Sequence, residues 1–222
     1  MVFELFRPKG ENPVDTIEAH IAEMLSTGSK TFSMATDALF RRVEPDDVGK
    51  KLRKRDKSIN RAERAIRREL VVHAGVRGRT ADIPTLLAYM AISKDIERVG
   101  DITKDMWDLA VAGLDLSAEP DVGQLDRDVA RVADLIVETA RIFGERDAAS
   151  AGTVLNENDE YKDELEERML GEIHAEHGGP GRALFYRYLQ RIVAHLMNVM
   201  TSVVMPLDRI DYWDEDKADR LE

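Results

Sequence analysis

The chain has 222 residues, enough for one large domain or two small ones with their own cores, and its 34% charged and 43% hydrophobic residues exclude a disordered polymer. With no cysteine, disulfides and thiolate metal sites are excluded, any metal must be held by oxygen or imidazole, and a reducing, cytoplasmic compartment is the expected home. A formal charge of −11 excludes general nucleic-acid binding; MVFELFRPKGENP lacks the apolar core of a secretory signal, and no apolar run approaches the roughly 20 residues of a membrane span.

Punctuation predicts six helices and no strand. Asn12-Pro13 caps the first, whose apolar series Ile17, Ile21, Met24, Phe32, Ala35, Leu39 follows at helical spacing. Glu44-Pro45-Asp46-Asp47 opens the second, which ends near Gly75, and the third runs from about Asp82 to roughly Asp115. Ser117 to Asp121, with Pro120, starts a fourth that stops at Gly144. The fifth runs from about Asp147 to Glu176 with a weak point at Gly152. HGGPG, residues 177 to 181, separates it from a sixth, from about Arg182 to Met205, closed by Pro206. The fold class is all-α, and the short connections predict consecutive helices packed antiparallel as a bundle. Tyr212 and Trp213 can fold back on it, while residues 207 to 222 form an acidic C-terminal tail.

The chain repeats itself. Ile92, Ile96, Val99, Thr103, Met106 and Ala110 of helix three find apolar counterparts in Phe185, Leu189, Ile192, Leu196, Val199 and Val203 of helix six, and His73-Ala74 recurs as His174-Ala175. Two tandem three-helix units follow, residues 10 to 116 and 117 to 206. Glu97, Asp101 and Asp105 lie along the side of helix three away from the Val99 strip and so are expected outside the core. On helix two, Asp56, Asn60 and Glu63 flank the apolar stripe, so two antiparallel helices bring oxygen donors together. Such a cluster suits a hard or borderline cation, although a solvated acidic face explains the spacing equally well. No histidine has a glutamate three residues before it, which counts against a di-iron bundle oxidase. His195 reads as a packed histidine and His174 as a helix-terminal one. No Walker loop, nucleophile elbow or Ser-His-Asp arrangement is present, so the chain is not expected to be an enzyme. Helix two is basic: Lys50, Lys51, Arg53, Lys54, Arg55, Lys57, Arg61, Arg64, Arg67, Arg68, Arg77 and Arg79 outweigh the nearby acids. That run is either a solvated face or a docking surface for an acidic partner, with Arg53, Lys54, Arg61 and Arg64 as its core.

DKSIN at 56 to 60, Glu63, and ISKDIERVGD at 92 to 101 together resemble the PhoU family of phosphate-signalling proteins, whose third helices carry a Glu/Asp-x-x-x-Asp motif. The resemblance implies two tandem three-helix bundles. It further implies iron or zinc held in the first unit by Glu97 and Asp101 with Asp105, Asp56, Asn60 or Glu63. The second unit has Gln190-Arg-Ile-Val-Ala194 in place of the motif, so it offers no such carboxylates. The implied role is a cytoplasmic negative regulator of phosphate uptake and phosphate-starvation signalling. It would be peripherally associated with a membrane phosphate transporter (Pst, Pit or sodium-phosphate type) or a PhoR-type histidine kinase, and a homodimer is compatible with that role. Two other classes stay open: a metal-dependent enzyme or metal buffer built on the Glu97 cluster, and a helical adaptor without a phosphate role.

Overall fold

The computed structural model describes residues 13–78, 81–175 and 179–213, so the expected cap at Asn12, Arg79, His177 and the tail beyond Trp213 lie outside the described residues. The described residues form six α-helices and no strand: α1 (Pro13–Leu39), α2 (Pro45–Arg77), α3 (Ile83–Val111), α4 (Val122–Glu145), α5 (Ala148–His174) and α6 (Pro180–Val204), followed by a short 3-10 turn, Leu207–Arg209. Gly152 does not interrupt α5.

Helix ends differ from the expected ones for local reasons. Helix α2 continues past Gly75 and stops at Gly78, whose φ of 52° is open to a residue without a Cβ. Helix α3 stops at Val111, short of Asp115, because the chain turns to pair the Leu116 N–H with the Leu39 carbonyl at 2.9 Å, and Asp115 instead accepts from the Ser117 N–H at 2.9 Å. Helix α4 passes through Gly144 and ends at Glu145, capped by Arg146, which holds a φ of 52°. That left-handed conformation costs a non-glycine residue about 1–2 kcal/mol. The Arg146 guanidinium offsets the cost by donating to the Tyr89 hydroxyl at 2.8 Å and pairing with Glu18, which ties the end of α4 to α3 and α1.

Helices α1 to α3 pack on one another as one unit, and α6 with α4 and α5 forms the other. The two join where α1 lies along α4 and α3 along α6, and a single core of Leu, Ile, Val, Met and Phe side chains runs through both. Val99 and Ile192 are both buried, as are all the α3 strip residues and those of α6 except the half-buried Val203. One expected pairing is nearly missing: α4 and α5, although consecutive, barely touch along their backbones. A polar network spans them instead. Asp128 of α4, 2% exposed, accepts through Oδ1 from Arg168 Nη1 at 2.5 Å, from the Tyr161 hydroxyl at 3.2 Å and from Gln124 Nε2 at 3.1 Å.

At the α3–α6 seam His195 Nδ1 donates to Asp95 Oδ1 at 2.8 Å and Asn198 Nδ2 donates to the same oxygen at 3.1 Å, so His195 is the packed histidine the sequence suggests. The chain after α6 returns to this seam: the Asp211 N–H donates to Thr201 Oγ1 at 3.2 Å, and Trp213 packs against the core. Although Asp211 is exposed as a residue, desolvation of its carboxyl against the seam and the Asp95 charge push it up to about 6, against the opposing pull of His195. A carboxyl raised in the folded state contributes stability that is full below its unfolded value, about 3.9, and is lost as pH rises through about 6. Asp211→Asn, which also tolerates the φ of 75° there, is therefore expected to raise the melting temperature at pH 7.5. The gain is expected to shrink to nothing near pH 4; a gain independent of pH would contradict the assignment.

Candidate functional site

The acidic cluster forms where α2 and α3 cross. Gly100 of the ERVGD motif sets the approach: a Cβ there would lie 3.0 Å from Ile59 Cδ1, so the missing side chain lets α3 sit on α2 beside DKSIN. The contact carries Asp56 on α2 toward Glu97, Asp101 and Asp105 on α3. Burial raises the proton affinities of both Asp56 and Asp101; the charges of Glu97 and Asp105 add to it at Asp56 and those of Glu97 and Asp56 at Asp101, against the opposing pull of Lys104 at both.

Glu97 contradicts the expectation that it lies outside the core. It is 8% exposed, because α3 is covered by α1, α2 and α6 at once and little of its circumference is left to solvent; Glu63, on the flank of the α2 stripe, is 6% exposed. Each carries its own counter-ion: Lys94 Nζ donates to Glu97 Oε2 at 2.6 Å, and Arg67 Nη2 lies 2.5 Å from Glu63 Oε1. Lys104 Nζ donates to Asp105 Oδ1 at 3.2 Å, and Asp101 is a long 4.0 Å from Arg98. Asn60 is half-buried on α2. Among the described residues no group of three or more acidic or imidazole side chains is arranged to hold a metal ion. The donor chemistry nonetheless fits a dication, since it would relieve the repulsion among Asp56, Glu97 and Asp101. To do so these side chains must turn to one point, and Lys94 must leave Glu97.

In the second unit the equivalent of Glu97 is Gln190, whose Nε2 donates to Glu166 Oε2 at 3.0 Å on α5. The α5–α6 crossing is thus closed by an amide-to-carboxylate hydrogen bond where the first unit has opposed carboxylates.

The basic residues of α2 divide between two faces. Arg53 lies on the α3 side, its guanidinium carbon 4.7 Å from the centre of the Trp107 ring, and Arg64 is exposed. Lys54 and Arg61 instead line a groove of about 280 Å³ between α1 and α2, together with Thr27, Lys51, Arg55 and Ser58. Sequence reasoning grouped Arg53 with Lys54 because charge alone gives no azimuth; at about 100° per residue the two point in different directions. The Asp128–Tyr161–Arg168 network it missed altogether, since its members meet only across helices.

The fold and the α2–α3 crossing define two tandem three-helix units, and comparison with known proteins finds a likeness to the PhoU family. Residues 21–110, the greater part of the first unit, match the family model of the PhoU domain. Over 202 residues the chain is 22% identical to the phosphate-specific transport system accessory protein PhoU homolog of Synechocystis sp., covering 87% of this chain and 88% of that protein. The crystal structure of PhoU from Pseudomonas aeruginosa shares the fold, with a TM-score of 0.72 and 22% identity over 86% of this chain and 95% of that one.

Proposed function

We propose that this protein is a negative regulator of phosphate uptake and phosphate-starvation signalling. It acts without catalysis by docking its helices on the cytoplasmic side of a membrane phosphate transporter, of Pst, Pit or sodium-phosphate type, or of a PhoR-type histidine kinase. The observation that carries this reading is the match of residues 21–110 to the PhoU domain, supported by the likeness to a phosphate-transport accessory protein across most of the chain. No described helix is long and apolar enough to cross a membrane, so membrane association on this reading is through the partner. The exposed cations of α2 supply a surface for acidic loops: Arg53, Lys54, Arg61 and Arg64 are all exposed.

Reversing these four to Glu is expected to abolish co-sedimentation with transporter-containing membranes. Like charges brought face to face cost several kcal/mol, which is a loss of at least about a hundredfold in affinity. Because Arg53 also packs on Trp107, a second variant with only Lys54, Arg61 and Arg64 reversed separates lost docking from lost packing. Retention of binding by both, with helical circular dichroism intact, would move the docking surface off α2.

A second reading, favoured by the raised proton affinities of Asp56 and Asp101 beside Glu97, is that the first unit alone takes iron or zinc at Glu97 and Asp101 with help from Asp56, Asn60, Glu63 or Asp105. The ion would act there as a structural or sensory element that replaces Lys94 as the counter-charge.

A further inference from the structure

We propose that the groove between α1 and α2 is a binding site for a phosphoryl group. It is lined by Thr27 of α1 and by Lys51, Lys54, Arg55, Ser58 and Arg61 of α2, with no carboxylate among its lining residues. The α2 members recur three or four residues apart, so they share one face, which is turned from the acidic crossing with α3. That segregation leaves the groove's positive charge uncancelled. Among the described residues no acidic side chain forms an ion pair with Lys51, Lys54, Arg55 or Arg61, whereas Arg67, further along the same helix, is paired with Glu63.

The second observation is a single atom. Arg55 Nε is buried and has no hydrogen-bond partner. A buried donor on a charged group is costly to leave unmade, and an oxyanion seated in the groove supplies the acceptor. A guanidinium edge, two ammonium groups and the hydroxyls of Thr27 and Ser58 offer donors from both walls. That arrangement suits the several oxygens of a tetrahedral phosphoryl group better than the flat two-oxygen edge of a carboxylate. At about 280 Å³ the groove lies at the small end of ligand sites, which fits inorganic phosphate, a short phosphate chain or the phosphates of a nucleotide. The proposal goes beyond the regulatory reading and does not depend on it, since it concerns what the groove holds and not which protein meets α2.

The test is calorimetric titration of the full chain with inorganic phosphate, pyrophosphate and ADP, each in roughly 0.15 M potassium chloride so that diffuse attraction is screened. Saturable binding of at least one probe is expected. Arg55→Gln is expected to weaken it about tenfold or more, the effect of losing a charge-assisted hydrogen bond, and Lys54→Gln likewise. Glutamine matches arginine and lysine in helix propensity, so both variants are expected to fold; Ser58→Ala, with a smaller loss, serves if either does not. Binding confined to phosphate and pyrophosphate assigns the site to the free inorganic anions, and binding of ADP assigns it to phosphate esters. No saturable binding of any probe, or binding that the folded variants leave within twofold, would overturn the proposal.

Discussion

Arg168→Met is expected to destabilise the protein by about 3–5 kcal/mol, which for a chain of this size lowers the melting temperature by roughly 6–20 °C. Asp128 is 2% exposed, its Oδ2 has no hydrogen-bond partner, and the shortest bond to its Oδ1 comes from Arg168. Without the guanidinium the carboxylate is left inside the second unit with Tyr161 and Gln124, both neutral donors. Burial and the adjacent Asp128 push the Tyr161 hydroxyl's pKa upward, so it stays a neutral phenol that donates a hydrogen bond without cancelling the carboxylate's charge. Asp128→Asn removes the charge itself, and in the double variant Arg168→Met/Asp128→Asn much of the loss is expected to be recovered. The difference, read by a double-mutant cycle, measures the coupling. An Arg168→Met variant within about 1 kcal/mol of the parent would mean that water reaches Asp128 and that the network does not bridge α4 and α5.

Zinc or ferrous iron is expected to stabilise the protein through its first unit. At a free concentration about a hundredfold above Kd, binding to the folded state alone adds about 2.7 kcal/mol, or roughly 5–11 °C. In Glu97→Gln/Asp101→Asn that gain is expected to vanish. The variant in chelator should also melt above the parent at neutral pH. Asp56 and Asp101 titrate higher in the folded protein than when unfolded, so their ionisation costs stability: the contribution is full below about 3.9 and is lost as pH rises through the raised folded values. Acidification is expected to weaken the metal-induced gain, because protons compete for the same oxygens. An equal gain in parent and variant would place the metal elsewhere, and no gain in the parent at millimolar metal would remove it from the account.

Much of this architecture is written in spacing. The apolar strips that end at Ala110 and Val203 are helical in period and both buried apart from Val203's partial exposure, and the proline-led starts at Pro45 and Pro180 fall where the helices begin or within a residue or two of the expected place. What periodicity cannot show is how many neighbours a helix has. A helix with one packed face leaves Glu97 in water; α3 packs on α1, α2 and α6, so the same azimuth becomes interior and Glu97 needs Lys94. The same limit hid Asp128, which on α4 alone is one acid in an amphipathic pattern and becomes a buried centre only when Tyr161 and Arg168 of α5 reach it. Composition marked α2 as basic, but only the position of α1 divides Lys54 and Arg61 in the groove from Arg53 on Trp107.

The regulatory reading is tested most directly by phosphate uptake in cells grown with ample phosphate, comparing a strain that lacks this protein and any second copy with the same strain complemented. If the protein restrains its partner, uptake and phosphate-starvation genes stay active without it despite plentiful phosphate, and complementation restores repression. Normal uptake and normal repression in the deletion strain would contradict the account.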